Sequence, residues 1–378
     1  MSNYYPPNDQ NTNKVWEKIE NPETAGWDGE KLQKLLLYLG RKSTSNFIIL
    51  HNGKIVCEKR WELSRSNMSA NQEEILEKLQ IEFADLNKKV TDVYSVDKSC
   101  IALLIGIAED KQLINLHSDI ISKYAGIGWS NAKEEEETKI KIKHLLSMTS
   151  GLTEFLTQPQ LQYECAPEKK WKYNTAAYMI GLQAVLRKAF DNNELKDIYK
   201  NELLNKIGCS KESTLIKRKF STFPDDIPMY GLNISCRDMA RIGLLTLRHG
   251  IWKDEKKIIN PITLKQILTS SQELNPAYGF GFWLNGKPFV RPALSFTPNA
   301  KPIGMSLMDE APDDMFAAMG SNANCIFVIP SLNLVVARQG MDPDEDEANF
   351  NNEMCRKLLE ASPFSLDKKS ESLKNAKL

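Results

Sequence analysis

Leu32, Leu35, Leu36 and Leu39 fall on one stripe after Asp28, a residue suited to capping a helix, and Gly40 ends the run. A helix with one apolar stripe needs a sheet to cover it. The next residues supply one, because residues 46–50 and 54–61 flank His51-Asn52-Gly53, the signature of a tight β-hairpin. Residues 72–89 are highly charged yet carry Ile75, Leu76, Leu79, Phe83 and Leu86 at helical spacing, which predicts an amphipathic surface helix. The most apolar run, Ile101 to Ala108, continues a helix that begins at Ser95. Residues 133–139, with four consecutive glutamates, predict a solvated loop with no binding role. His144 to Leu152 reads as a short buried helix closed by a Ser-Gly turn, and the Trp171-to-Thr175 junction leads into an apolar helix that runs to about Phe190.

Ser235 and Asp238 make a capping-box-like start for a helix of Met239, Ile242, Leu244, Leu245 and Leu247, stopped by Gly250, and Asn260-Pro261 starts another. Strand patterns return at residues 278–284, 315–320, 325–329 and 334–338, the last two around the turn Pro330 to Asn333. A final amphipathic helix spans roughly residues 346–359. The chain therefore leaves a sheet, builds a helical region and returns to the sheet. The expected architecture is α/β (α+β): an antiparallel sheet flanked by helices with a mostly helical inserted region. The division follows as a flexible arm over residues 1–24, a discontinuous sheet-containing region over 25–94 and 255–362, a mostly helical region over 95–254, and a mobile tail over 363–378.

Composition narrows the function. Over 378 residues, 49 Lys and Arg balance 49 Asp and Glu, so nothing attracts nucleic acid or an anionic membrane in general. The first ten residues lack a basic segment followed by an apolar one, and no apolar run is long enough to span a bilayer. The seven cysteines are scattered without a Cys-x-x-Cys pair, as suits reduced thiols, so the expected location is the cytoplasm. The four histidines have no metal-ligand spacing, and neither a metal nor a cofactor is expected.

The candidate chemistry lies in Tyr94-Ser95-Val96-Asp97-Lys98-Ser99. Ser95 and Lys98, three positions apart, share one side of a helix at its first turn. Unpaired N–H groups and the positive end of the helix dipole favour an anion beside Ser95, and burial there favours a neutral amine able to accept a proton. A Ser-x-x-Lys pattern alone far more often describes a capped, charged first turn, so partners are needed.

Partners come with a resemblance. Tyr94 to Ser99 with the Leu104-Ile105-Gly106-Ile107-Ala108 that follows, His144 to Leu152, Trp171-Lys172-Tyr173-Asn174, Gly231 to Gly243, and Tyr278 to Trp283 occur in the order seen in the serine β-lactamase-like family. That family includes class C β-lactamases, D-alanyl-D-alanine carboxypeptidases, esterases and 6-aminohexanoate-dimer hydrolases, and the resemblance spans roughly residues 25–362. It implies a β-lactamase/transpeptidase-like fold in which Ser95 is the acylated nucleophile, Lys98 lies within hydrogen-bond reach, and Tyr173 completes a proton relay. Which of Lys98 and Tyr173 takes the proton first stays open, because coupled groups titrate as a unit.

Two departures shape the expected substrate. Where many relatives carry Lys-Thr-Gly or His-x-Gly on the strand lining the site, this chain has Ala318-Met319-Gly320-Ser321, with the glycine present and the cation missing. Backbone N–H groups of Ser95 and Ser321 still suit an oxyanion hole, which needs main-chain donors and close backbone approach. Without the cation, a substrate carboxylate loses its partner, so an ester or small amide is favoured over β-lactams and D-Ala-D-Ala peptides. Tyr173-Asn174-Thr175 also stands where Tyr-x-Asn is usual, leaving Asn174, with Gly320 and Trp171, as substrate-binding candidates. Trp171, Tyr230, Tyr278 and Trp283 line either an acyl pocket or, more commonly for such aromatics, the core. Asp238 and Arg241 are read as capping and ion-pairing residues outside the mechanism. A Ser-His-Asp hydrolase is excluded by the lack of Gly-x-Ser-x-Gly, and a catalytically silent binding relative is the remaining alternative.

Overall fold

The computed structural model describes residues 3–9, 15–79, 81–153, 161–218, 229–253, 255–293 and 306–364. Asp28 caps α1 (Gly29–Arg41) by accepting a hydrogen bond from Lys31 N. The hairpin of β1 (Thr44–His51) and β2 (Lys54–Arg60) turns at Asn52 and Gly53, whose φ values of 56° and 82° are the left-handed pair that a type I′ turn requires. The elements that go on to position the site are α2 (Ala70–Leu79), β3 (Thr91–Asp92), α3 (Val96–Asp110), α4 (Thr175–Ala189), β4 (Thr214–Arg218), β5 (Met229–Ile234), α5 (Cys236–Leu247) and α6 (Pro261–Ile267). The chain then returns to the sheet through β6 (Trp283–Leu284), β7 (Phe316–Gly320), β8 (Asn324–Ile329), β9 (Leu334–Gly340) and α7 (Glu347–Ala361).

One antiparallel sheet of six strands has the order β6-β7-β8-β9-β1-β2, so the expected C-terminal meander joins the N-terminal hairpin where β9 pairs with β1, Phe47 opposite Arg338. Helices cover both faces. Gly243 of α5 sits so close to Val335 and Ile326 that a Cβ there would stand 2.5 Å and 2.8 Å from their side chains. Arg338, three residues beyond Val335 and therefore on the opposite face, lies 4.8 Å from the Phe350 ring of α7. Burial on both faces explains why all six residues of β8 are buried. A second sheet, β3-β5-β4, stands at the start of α3.

Between these sheets and the helical region runs α3, with every residue from Val96 to Ala108 buried. Burying Ile101, Leu103, Leu104 and Ile105 stabilises the fold by about 1.5–3 kcal/mol each, while Asp97 and Lys98 are enclosed in the same helix at a cost in desolvation. Among the described residues no helix is long and apolar enough to cross a membrane.

Several expectations change. The predicted helix over 72–89 is divided: α2 stops at Leu79, and Phe83–Asn87 forms a separate 3-10 turn that buries Leu86. The glutamate run forms a short helix, Glu134–Glu137, and Glu137 turns inward. Its carboxylate accepts from Gly128 N, Ser130 N and Ser130 Oγ at 2.7–2.8 Å, so one of the four glutamates organises a loop rather than facing water. Residues 278–284 are mostly not strand, because only Trp283–Leu284 pairs in the sheet and Tyr278 bridges back to Trp283. Glycine causes this, since Gly281 has φ 70° and a Cβ on it would stand 2.6 Å from Tyr178 Oη and 2.8 Å from Lys98 O. In the N-terminal segment expected as a loose arm, Trp16 is buried and donates to Gly53 O, and Arg241 donates to Pro7 O. The expected mobile tail lies, from residue 365 onward, outside the described residues.

Candidate active site

The turn from β3 into α3 takes three residues, Val93, Tyr94 and Ser95, and Tyr94 adopts φ 50°. A non-glycine residue in the left-handed region is strained, and such strain gathers at functional turns. Ser95 follows at the N-cap, and its side chain makes no capping bond to the helix. Its hydroxyl meets Lys98 instead, whose Nζ lies 2.9 Å from Ser95 Oγ. Lys98 is only 2% exposed. The Tyr173 ring, brought in by the junction before α4, stands with its centroid 4.8 Å from Lys98 Nζ. Residues 95, 98 and 173, taken from distant parts of the chain, therefore share one locus.

The rest of the α3 N-terminus is held on all sides. Tyr178 Oη donates to Lys98 O at 2.8 Å, and Ser99 Oγ donates to Gly281 O at 2.5 Å, so α4 and the Tyr278–Trp283 turn both fix the first turn of α3. Gly320, at the end of β7, approaches the backbone of the same turn. A Cβ on it would lie 2.4 Å from Val93 O and 2.9 Å from Ser95 N, a contact only glycine permits. Ser321 is exposed and opens the β7–β8 turn, where Asn322 and Ala323 have φ 64° and 52°. The buried Arg338 of β9 and Glu347 at the start of α7 grip that turn: Arg338 Nη1 donates to Asn322 O at 2.6 Å, and Ala323 N donates to Glu347 Oε1 at 3.0 Å.

An aromatic wall completes the locus. Trp283 stacks on Tyr173 at 6.1 Å and 16°, Tyr278 meets Trp283 edge-on at 4.9 Å, and Trp171 packs against both Tyr278 and Trp283. Trp171 and Tyr173 are half-buried whereas Tyr278 and Trp283 are buried, so the first pair forms the outer surface of the wall. Asn174 is differently employed. Its Oδ1 caps α4 by accepting from Ala177 N at 2.8 Å, and its Nδ2 donates to Leu152 O at 3.0 Å, so the expected substrate contact does not fit a buried side chain committed at both ends. Ser235 caps α5 as expected, but the Asp238 carboxylate does more than the capping reading allowed. It holds Arg241 Nη1 at 2.9 Å, Ser210 N at 3.0 Å and Ser213 Oγ at 2.8 Å.

Sequence reasoning missed two groups beside Ser95. One is the ion pair of Arg218 with Asp92. The other is Asp97, wholly buried, with Oδ1 accepting from Tyr199 Oη at 2.8 Å and Oδ2 without a hydrogen-bond partner among the described residues. Burial pushes the Asp97 carboxyl up to about 6, opposed by the nearby Arg218 guanidinium and the Tyr199 hydrogen bond. A folded-state value above the unfolded one means stability that is full at acidic pH and lost as pH rises to about 6 and beyond, a difference of about 3 kcal/mol. Asp97→Asn keeps an acceptor for Tyr199 and cannot ionise. Its effect on unfolding free energy is expected to be more favourable at pH 7.5 than at pH 4 by about 2 kcal/mol, measured by urea denaturation at both values.

The chain matches the family model described as Beta-lactamase over residues 45–349. No curated protein matches it. Solved structures share the fold at low identity. One described as a 6-aminohexanoate-dimer hydrolase from Bacillus anthracis is 15% identical, with 86% of this chain and 81% of that chain covered and a TM-score of 0.61. EstCE1, described as a hydrolase with promiscuous acyltransferase activity, is 14% identical, with 89% and 99% covered and a TM-score of 0.60. A penicillin binding protein from Bacillus halodurans is 14% identical, with 86% and 98% covered and a TM-score of 0.57. With four-fifths of the chain inside the family match and the β-lactamase/transpeptidase-like architecture around it, this protein belongs to the beta-lactamase family of serine hydrolases.

Proposed function

We propose that this chain hydrolyses an ester or a small amide through an acyl-enzyme on Ser95, with Lys98 and Tyr173 as the proton relay. The observation that carries the reading is the 2.9 Å contact between a buried lysine amine and a serine hydroxyl at a helix N-terminus. An alcohol attacks a carbonyl only as it loses its proton, and an enclosed amine beside a phenol is the base at hand. Ser95 Oγ bonds to the carbonyl carbon as its proton passes to the Lys98/Tyr173 pair. N–H groups of Ser95 and Ser321 receive the oxyanion. The bond to the leaving oxygen or nitrogen then breaks, the same proton leaves with it, and water repeats the sequence in reverse to free the acid.

Ester or small-amide chemistry is favoured over β-lactam or D-Ala-D-Ala chemistry by Ala318-Met319-Gly320-Ser321, which offers no cation to a substrate carboxylate. Neighbours described as a 6-aminohexanoate-dimer hydrolase and as a hydrolase with promiscuous acyltransferase activity are consistent with that direction. The half-buried Trp171 and Tyr173 supply an apolar flank for the acyl or leaving group.

A fluorophosphonate is expected to add one adduct per chain, located at Ser95 by peptide mass spectrometry, and a chromogenic short-chain ester to be turned over. Ser95→Ala should take no adduct and lose the turnover. Ester hydrolysis that survives in Ser95→Ala refutes the assignment, and efficient nitrocefin cleavage by the parent refutes the substrate preference.

A further inference from the structure

The strained turn before Ser95 is held by an ion pair whose two members come from opposite edges of the small sheet. Asp92 lies on edge strand β3 and Arg218 at the end of edge strand β4, with β5 between them. The guanidinium crosses the middle strand at Gly231, where a Cβ would stand 2.1 Å from Arg218 Cζ. Glycine at that point leaves the path open. Arg218 Nε donates to Asp92 Oδ2 at 2.8 Å, and Nη2 makes the second contact of a bidentate pair with Oδ1.

Both members then grip the backbone of Tyr94. Asp92 Oδ1 accepts from Tyr94 N at 2.8 Å, and Arg218 Nη2 donates to Tyr94 O at 3.2 Å. The guanidinium also lies 5.9 Å from the Tyr94 ring centroid. The second of these backbone contacts falls on a special peptide, because Tyr94 C=O and Ser95 N–H belong to one planar unit. A cation on the carbonyl end polarises the unit and strengthens its N–H as a donor. It also fixes the direction in which that N–H points.

We propose that Arg218, braced by Asp92, is a positioning residue that aims and polarises the Tyr94–Ser95 peptide so that the Ser95 N–H meets the oxyanion. The inference rests on the assignment of Ser95 as nucleophile and goes beyond it. Arg218 touches no reacting atom, and its contribution appears where negative charge develops on the substrate oxygen. A group acting there changes kcat and leaves ground-state binding nearly alone.

The test uses Arg218→Met, Arg218→Lys and Asp92→Asn in the full chain, with a chromogenic short-chain ester and with each rate normalised to active sites counted by fluorophosphonate titration. Arg218→Met is expected to lower kcat roughly 30-fold with KM within about two-fold, a loss below that of a deleted oxyanion donor because the N–H remains. Arg218→Lys keeps the charge without the fork and should recover part of the loss, and Asp92→Asn should fall between the parent and Arg218→Met. If Arg218→Met does not fold, the other two variants carry the same comparison. A normalised kcat equal to the parent's, or a change confined to melting temperature and active fraction, overturns the proposal. Turnover surviving in Ser95→Ala instead removes the nucleophile assignment itself, so the two failures are distinguished.

Discussion

Lys98→Met is expected to lower kcat/KM for ester hydrolysis by roughly 10³-fold, the scale of losing a positioned general base. The same substitution should leave the protein at least as stable as the parent. Methionine nearly matches the lysine stem in length, and it fills a site that is 2% exposed without bringing a polar head into it. An amine enclosed there is disfavoured relative to water in either protonation state unless its hydrogen bonds compensate, and its contact with Ser95 Oγ at 2.9 Å is one such compensation. Activity and stability therefore move in opposite directions, as expected when a site is kept for chemistry. Stopped-flow acylation by a fluorophosphonate and a thermal melt, run on one preparation, measure both. A fall in melting temperature of many degrees alongside the rate loss would mean that Lys98 is a structural member of α3 and that the rate loss is secondary.

What the sequence revealed follows from which interactions are local. The Asn52-Gly53 hairpin, the Leu32/Leu35/Leu39 stripe and the pairing of Ser95 with Lys98 on one helical face depend on neighbours within four residues, and the structure has all of them. Tyr173 was reached through resemblance, since no periodicity links residue 173 to residue 98. The Arg218–Asp92 pair left no local signal. Its members are 126 residues apart, and Arg218 sits in the middle of Lys217-Arg218-Lys219, a run that looks like any solvated segment. Charge misled at Glu137, because a run of acidic residues does not reveal which one finds buried donors. Residues 278–284 misled through glycine. Aromatic and glycine alternation mimics a strand, but here Gly281 is used to press a turn against α3.

Gly320→Ala is expected to cost kcat a further test of the site's architecture, with a loss of roughly 10²-fold or more and about 1–3 kcal/mol of stability. A Cβ at this position meets only backbone, at 2.4 Å from Val93 O, 2.9 Å from Ser95 N and 3.0 Å from Val96 N, so no side chain can swing aside to accommodate it. The end of β7 must separate from the start of α3. That separation carries Ser321 N away from Ser95 N, and an oxyanion hole works only while both donors reach one oxygen. Gly320→Val, with a larger group in the same space, should lose more of both activity and stability. The relay is untouched by this change, since Lys98 Nζ and Ser95 Oγ lie within one helical turn and move together. The two substitutions thus probe separate parts of the proposed mechanism. Lys98→Met removes the base and spares the hole, whereas Gly320→Ala opens the hole and spares the base. Steady-state kinetics and urea denaturation of Gly320→Ala check the expectation, and a variant with the parent's kcat would show that Ser95 N and Ser321 N do not act on a common oxygen.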